Sequence, residues 1–150
     1  MRCTECGYVY FHNTAAAVAG IIESDGGVLL TVRGKEPEAG LFDLPGGFVD
    51  YNESFEQALV REVREELGID VEITSWLCSF PNTYIYKRVT YCTCDVFFIC
   101  RCTDGGQQIR CSEEVSGYEI LPADALPFDR FAFPSHVNAL REYLLRPASG

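Results

Sequence analysis

Three carboxylates, Glu62, Glu65 and Glu66, fall within five residues of a segment that reads as a helix. At ~100° per residue they occupy an arc of about 100° on one side of it. Phe55, Leu59 and Val63 lie on or next to that arc, so Glu62 and Glu66 sit at the edge of the core-facing stripe. A purely solvated acidic face would lie opposite the apolar stripe instead. Negative charges crowded beside a core are costly unless cations neutralise them. Those cations are either Arg61 and Arg64 of the same helix, which makes the cluster structural, or divalent metal ions, which makes it a site for metal-assisted chemistry. The helix alone does not separate the two.

The segment carrying these carboxylates is marked at both ends. Ser54, with Gln57 three positions on, forms a capping box, and Gly68 supplies a left-handed stop, which predicts a helix over 54–67. Before it stands LFDLPGGFVD, short extended pieces around Leu44-Pro45-Gly46-Gly47, whose paired glycines allow close backbone approach. Glu53 precedes Arg61 by eight residues, near enough across the helix start for a buried ion pair that would orient the carboxylate face. Upstream, residues 14–33 read as a hairpin turning at Ser24-Asp25-Gly26-Gly27. Downstream, 69–79, 84–102 and 113–121 read as strands, the second long enough to be bent or bulged. A last helix is predicted over 134–146, with Val137, Leu140 and Leu144 on one face and Pro147 as its stop. A long helix between two strand groups implies a mixed sheet covered by helices, an α/β chain in three layers.

A length of 150 residues predicts one domain, and 47% hydrophobic content with 13% aromatics is enough to bury a core, which excludes a disordered chain. Twelve basic against 22 acidic residues give a net charge of −10. That balance argues against nucleic-acid and anionic-membrane partners. It leaves nucleotides open, because a divalent metal reverses the local sign of an acidic pocket. No apolar run approaches the ~18 residues of a membrane span. The run at 15–22 reads as a strand, not a signal peptide. The expected compartment is the cytoplasm, with the eight cysteines mostly thiols.

Residues 47–69, GFVDYNESFEQALVREVREELGI, resemble the Nudix hydrolase signature: Gly, five residues, Glu, seven residues, then Arg-Glu-apolar-x-Glu-Glu-x-Gly-apolar. Gly47, Glu53, Arg61, Glu62, Glu65, Glu66 and Gly68 all fall in place, with Val63 and Ile69 at the apolar positions. At ordinary residue usage a chance match has odds on the order of one in a million. The preceding hairpin, the Leu-Pro-Gly-Gly segment and the downstream Glu-Glu-Val-x-x-Tyr-Glu-Ile-Leu also look like the family. The resemblance implies the Nudix fold, an α/β/α sandwich around a mixed β-sheet over 14–146, leaving 1–13 as an arm and 147–150 as a tail. Asn52 stands where glycine is common, and asparagine tolerates the left-handed conformation.

The same resemblance implies a metal-dependent pyrophosphohydrolase acting on a nucleoside diphosphate linked to another moiety. Mg²⁺ or Mn²⁺ would be held by Glu62, Glu65, Glu66 and the Gly47 carbonyl, with Arg61 in the catalytic set. The metals would polarise the pyrophosphate and acidify an attacking water. The general base would be a box glutamate or one on a later loop, Glu113 or Glu114. The ordinary alternative for that pair is a solvated loop edge.

Cys3-x-x-Cys6-Gly7 looks like one knuckle of the zinc ribbon found in NADH pyrophosphatase-type members. A structural zinc site needs four ligands, and no second Cys-x-x-Cys exists, so Zn²⁺ is not expected from Cys3 and Cys6 alone. Cys92, Cys94, Cys100 and Cys102 share a strand face with Val96 and Phe98 and read as core thiols. Substrate contacts are expected from Tyr84 and Tyr86, which could stack on a base or simply pack in the strand, together with Phe42 and Arg33. His12 and His136 have no nameable partner and read as surface or satisfied residues. The half ribbon and Ser79-x-Pro81 tilt the expected substrate towards an ADP-containing small molecule of the ADP-ribose or NADH type. A homodimer is a further expectation. The competing reading is a non-catalytic nucleotide sensor on the same fold, against which stands an intact box.

Overall fold

A computed structural model describes residues 1–11, 13–103 and 108–146. Seven strands and two helices follow in the order β1 (Ala15–Ser24), β2 (Gly27–Arg33), β3 (Phe42–Asp43), β4 (Gly46–Phe48), α1 (Phe55–Leu67), β5 (Val71–Tyr86), β6 (Val89–Cys102), β7 (Val115–Leu121) and α2 (Pro134–Leu144). The strands form one mixed sheet running β3-β2-β1-β6-β5, with β7 on β2 and β4 on β1. The β1–β6 pair is parallel and the other pairs are antiparallel.

One core lies on each face of the sheet, as period-two alternation in β1 and β6 requires. Val18, Ile22, Val96, Phe98 and Cys100 pack with Leu59, Val63 and Leu67 of α1. Ala19, Ile21 and Phe97 pack with Ala139 and Leu140 of α2. The expected three-layer α/β arrangement is what forms. Among the described residues no helix is long and apolar enough to cross a membrane.

The predicted ends of α1 are present in full. The Ser54 side chain accepts from Gln57 N–H, the Gln57 side chain accepts from Ser54 N–H, and Gly68 is left-handed at φ 67°. Along β1, β2 pairs with the second half (Ile22↔Leu29) and β4 with the first (Val18↔Gly47). Between these two stretches the chain runs alongside β1 at Leu44 and Pro45, where the Pro45 carbonyl accepts the Gly20 N–H at 2.9 Å. There Gly46 has φ 154°, and a side chain on it would lie 2.1 Å from the Val18 carbonyl oxygen, so only glycine fits. This close approach sets the glycine pair against β1 and the α1 carboxylates.

Several boundaries differ from expectation. The strand predicted over 84–102 is two strands: β5 continues through Pro81 to Tyr86, and the chain reverses at Lys87 and Arg88, both with positive φ (46° and 69°). No Gly or Asn marks that turn. Of the four thiols expected in the core, Cys92 and Cys94 are exposed and Cys102 is half-buried, leaving Cys100 as the buried one. The strand predicted over 113–121 begins at Val115. The last helix ends at Leu144, and its inward face is Ser135, His136, Ala139 and Leu140, with Leu144 41% exposed. His12 and the tail 147–150, with Pro147, lie outside the described residues.

The N-terminal arm closes on itself. Cys3 N–H donates to Tyr8 O, Gly7 N–H to Cys3 O and Tyr10 N–H to Met1 O, and residues 1–11 are exposed throughout.

Candidate active site

A cavity of about 480 Å³ opens at the sheet end, lined by Gly46, Gly47, Glu62, Glu66, Glu114 and Arg33, among others. Its acidic wall comes from α1. A methyl group on Gly47 would lie 2.6 Å from the Glu62 carboxyl carbon, so the carboxylate occupies the space that any side chain there would take. Glu66 accepts the Gly46 N–H at 3.1 Å. Both glycines of the pair therefore receive a glutamate from one helix face.

Arg61, which also lines the cavity, orders this wall. Its Nη2 donates to Glu53 Oε1 (2.6 Å) and its Nε to Glu53 Oε2 (3.1 Å), the expected pair. Nη1 reaches Glu62 Oε1 at 2.8 Å, and Nη2 also donates to the Phe48 carbonyl at 3.0 Å. Arg64 instead pairs with Asp70, away from the cluster. The structural alternative is thus half realised: Arg61 holds Glu62 in place, while Arg64 contributes nothing to it.

Among the described residues Glu66 receives no such cation. Burial, then the charges of Asp43, Glu62 and Glu114, push its carboxyl up to about 8. Burial likewise raises Glu62, against the opposing pull of Arg61. Glu65 lies on the exposed flank, its side chain 61% accessible and 3.3 Å from Arg61 Nη1, and it does not line the cavity.

Of the loop glutamates, the structure brings Glu114 to the cavity and leaves Glu113 off its lining. The loop is pinned on both sides. Arg110 N–H and Ser112 N–H donate to the last carbonyls of α1 (Leu67 and Glu66), and Gly34 N–H donates to Glu114 O. Lys35 Nζ lies 3.2 Å from the Glu114 carboxylate.

The substrate-contact residues fare unevenly. Arg33 lines the cavity, donates to Asp43 Oδ2 (2.7 Å) and Pro37 O, and lies 5.0 Å over the Phe133 ring. Tyr84 lines it too, edge-on to Phe48 at 5.6 Å and next to Phe133 at 5.9 Å. Phe42 does not. It is 1% exposed, packed on Phe131 with Arg130 over its ring, because residues alternate in β3 and Asp43 takes the cavity side. The Tyr86 side chain lies outside the described residues.

Sequence reasoning missed a buried polar network behind the glutamates. Asp43 Oδ1 lies 2.6 Å from His136 Nδ1 and accepts the Leu44 N–H at 3.0 Å. Burial would raise the Asp43 carboxyl, but His136 and Arg33 together hold it below its ordinary value. Thr93, Asp95 and Ser135 form a second cluster, also lining the cavity or against it. The available signal was parity: Thr93 and Asp95 occupy inward positions of a strand that continues Phe97, Ile99.

The donor set fits a hard divalent cation. Carboxyl oxygens of Glu62 and Glu66 stand beside backbone glycines, in a cavity with room for the water and phosphate ligands such ions keep. Among the described residues no three His, Cys, Asp or Glu side chains already converge as a ligand cage.

The chain matches the NUDIX domain model over residues 11–143. It is 48% identical over 69 residues to an ADP-ribose pyrophosphatase of Methanocaldococcus jannaschii, covering 46% of this chain and 40% of that protein. It is 49% identical over 63 residues to a CTP pyrophosphohydrolase of Escherichia coli, covering 41% and 47%. The match thus spans less than half the length of either relative. In three dimensions it is similar to a NUDIX hydrolase from Nitrosomonas europaea, with a TM-score of 0.79 and 24% identity over 95% of this chain and 77% of that one. The carboxylate helix, the glycine pair it packs against and a family match across nearly the whole chain agree, and the chain belongs to the NUDIX domain family.

Proposed function

We propose that this chain is a divalent-metal-dependent pyrophosphohydrolase that cleaves a nucleoside diphosphate linked to another moiety, with ADP-containing substrates of the ADP-ribose or NADH type favoured. The observation that carries the reading is the seating of the Glu62 and Glu66 carboxylates on Gly47 and Gly46 inside a cavity. Two desolvated carboxylates, of which Arg61 meets only Glu62, are costly in a merely structural role. A bound Mg²⁺ or Mn²⁺ supplies a Lewis acid for the pyrophosphate and acidifies a water.

The residues of the chain do the rest. Arg61, locked by Glu53, fixes the Glu62 rotamer. Arg33, fixed by Asp43, presents its guanidinium to the cavity and suits a phosphate oxygen. Glu66 and Glu114, both lining the cavity, are the candidates for taking a proton from the attacking water. Phe48, 41% exposed, and Tyr84 offer ring faces or edges to a base. The matched ADP-ribose pyrophosphatase supports an ADP-containing substrate, and the matched CTP pyrophosphohydrolase keeps nucleoside triphosphates in the test.

The test is hydrolysis of ADP-ribose, NADH, diadenosine polyphosphates, nucleotide sugars and nucleoside triphosphates with Mg²⁺, Mn²⁺ or chelator, with products identified. Metal-dependent release of a nucleoside monophosphate, fastest from an ADP-containing compound, is expected. Tight nucleotide binding with no turnover on any compound contradicts the enzyme and favours a sensor.

A further inference from the structure

We propose that Lys35 is a substrate-contacting residue that exchanges the Glu114 carboxylate for a phosphate oxygen of the nucleotide. This rests on the reading of the cavity as a nucleotide site and names a residue that binds the phosphates there. Alternation along β2 and past its end turns Thr31, Arg33 and Lys35 to the cavity and leaves Val32 and Gly34 off its lining. The cations lining the cavity among the described residues differ in what they are free to do. Arg61 is committed to both Glu53 oxygens, to Glu62 and to the Phe48 carbonyl. Arg33 holds Asp43 and the Pro37 carbonyl and lies over the Phe133 ring. Lys35 Nζ donates to Glu114 Oε1 at 3.2 Å, in a pair whose side chains are 53% and 68% exposed.

An ammonium has three donors, and an ion pair this open to water contributes little. A phosphate brings more charge and more acceptor oxygens than the carboxylate it displaces, and its hydrogen bonds to an ammonium are of the strong, charge-assisted kind. The backbone on both sides of the pair is fixed, while the two side chains are not. Gly34 N–H donates to Glu114 O and Ser112 N–H to Glu66 O, each at 2.8 Å. The loop carrying Lys35 is closed at its base by Arg33 N–H to Leu41 O and by Gly40 N–H to Arg33 O. The exchange therefore needs only side-chain rotation. An anion entering beside Glu62 and Glu66 requires a cation with donors to give, and Lys35 stands at the same cavity with them. In the empty site Glu114 occupies that cation, so the carboxylate competes with the substrate. Once a phosphate is bound, Glu114 faces the cavity without its partner.

The test is calorimetric binding of ADP and adenosine to the whole chain in chelator, where no metal holds the phosphates and no hydrolysis is needed. Wild type is compared with Lys35→Met, Glu114→Gln and the double variant. Lys35→Met is expected to weaken ADP by at least about tenfold and to leave adenosine within about twofold. Glu114→Gln is expected to tighten ADP by at least about threefold. That gain is expected to vanish when Lys35 is also replaced, because the carboxylate then has no cation to compete for. The same gain in both backgrounds shows plain repulsion between Glu114 and the phosphate, and overturns the exchange. Unchanged ADP affinity in Lys35→Met overturns it, and so does no binding of ADP by wild type. Equal weakening of ADP and adenosine marks a structural role for Lys35 and overturns it too. A far-ultraviolet spectrum checks each fold, and should Lys35→Met not fold, Lys35→Gln serves in its place. ADP held through Lys35 by a chain that hydrolyses nothing leaves the inference standing and removes the enzyme reading. Turnover by a chain whose ADP affinity is indifferent to Lys35 does the reverse.

Discussion

Gly47 and Glu62 share one space: the carboxyl carbon of the glutamate lies 2.6 Å from where a methyl group on the glycine would be. The glycine is needed for its missing side chain, because the carboxylate is seated against its backbone. Gly47→Ala must displace Glu62 or the loop. Turnover is expected to fall by about a hundredfold or more, the scale of a 1 Å misplacement. Steady-state kcat with a matching thermal melt checks it, and a variant of wild-type kcat removes the seating from the mechanism.

Glu66 links the site to pH. Its carboxyl is pushed up to about 8 when folded, by burial first, against an ordinary value of 4.5. Between those values the folded state holds a proton that the unfolded chain has lost. Stability without metal therefore falls as pH rises through that window, at no more than about 1.4 kcal/mol per pH unit. Glu66→Gln and saturating Mg²⁺ should each flatten the slope. Thermal melts from pH 5 to 8, in chelator and in Mg²⁺, read this directly. A flat profile for the metal-free wild type contradicts the crowding of Glu66.

Arg61 acts by geometry. Its planar fork meets both Glu53 oxygens while a third nitrogen contact holds Glu62. Lysine keeps the charge and loses the fork. Arg61→Lys is expected to lower kcat by at least about tenfold with an unchanged far-ultraviolet spectrum. Equal kcat in the two proteins shows that charge alone suffices.

The legible part of the molecule was local. The capping box, the Gly68 stop and the Glu53–Arg61 pair are fixed by residues within one helix length, and each formed as expected. What escaped depends on partners far apart in the chain. Asp95 and Ser135 are separated by 40 residues, and each alone reads as an ordinary polar residue. This pair and that of Asp43 with His136 bring Ser135 and His136 onto the inward face of α2 beside Ala139 and Leu140, and Leu144 lies outside the face it was expected to share. The Lys87–Arg88 turn escaped for the opposite reason: a local structure carried by residues with no local preference for it.

That turn makes its own prediction. Both central residues sit at positive φ, which Asn and Gly adopt far more readily. Lys87→Asn with Arg88→Gly is expected to stabilise the fold by roughly 1 kcal/mol. Urea midpoints compare the two chains, and a lower midpoint for the variant places the turn elsewhere.

The Asp43–His136 contact ties α2 to the strand before the glycine pair. His136→Gln leaves Asp43 with Arg33 and the Leu44 N–H, so the loss of stability should be about 1–3 kcal/mol and not a collapse. Chemical denaturation measures it, and no change at all means the contact contributes nothing.

In the proposed reaction Glu62 and Glu66 form a divalent-metal-dependent hydrolytic centre. The most direct measurement is nucleoside monophosphate release from ADP-ribose, NADH and CTP as Mg²⁺ is titrated, in wild type and in Glu66→Gln. Saturable, chelator-reversible turnover of at least one of them is expected in wild type, with a loss of at least about a hundredfold in a Glu66→Gln protein that remains folded. Turnover independent of metal, or undiminished in Glu66→Gln, contradicts it.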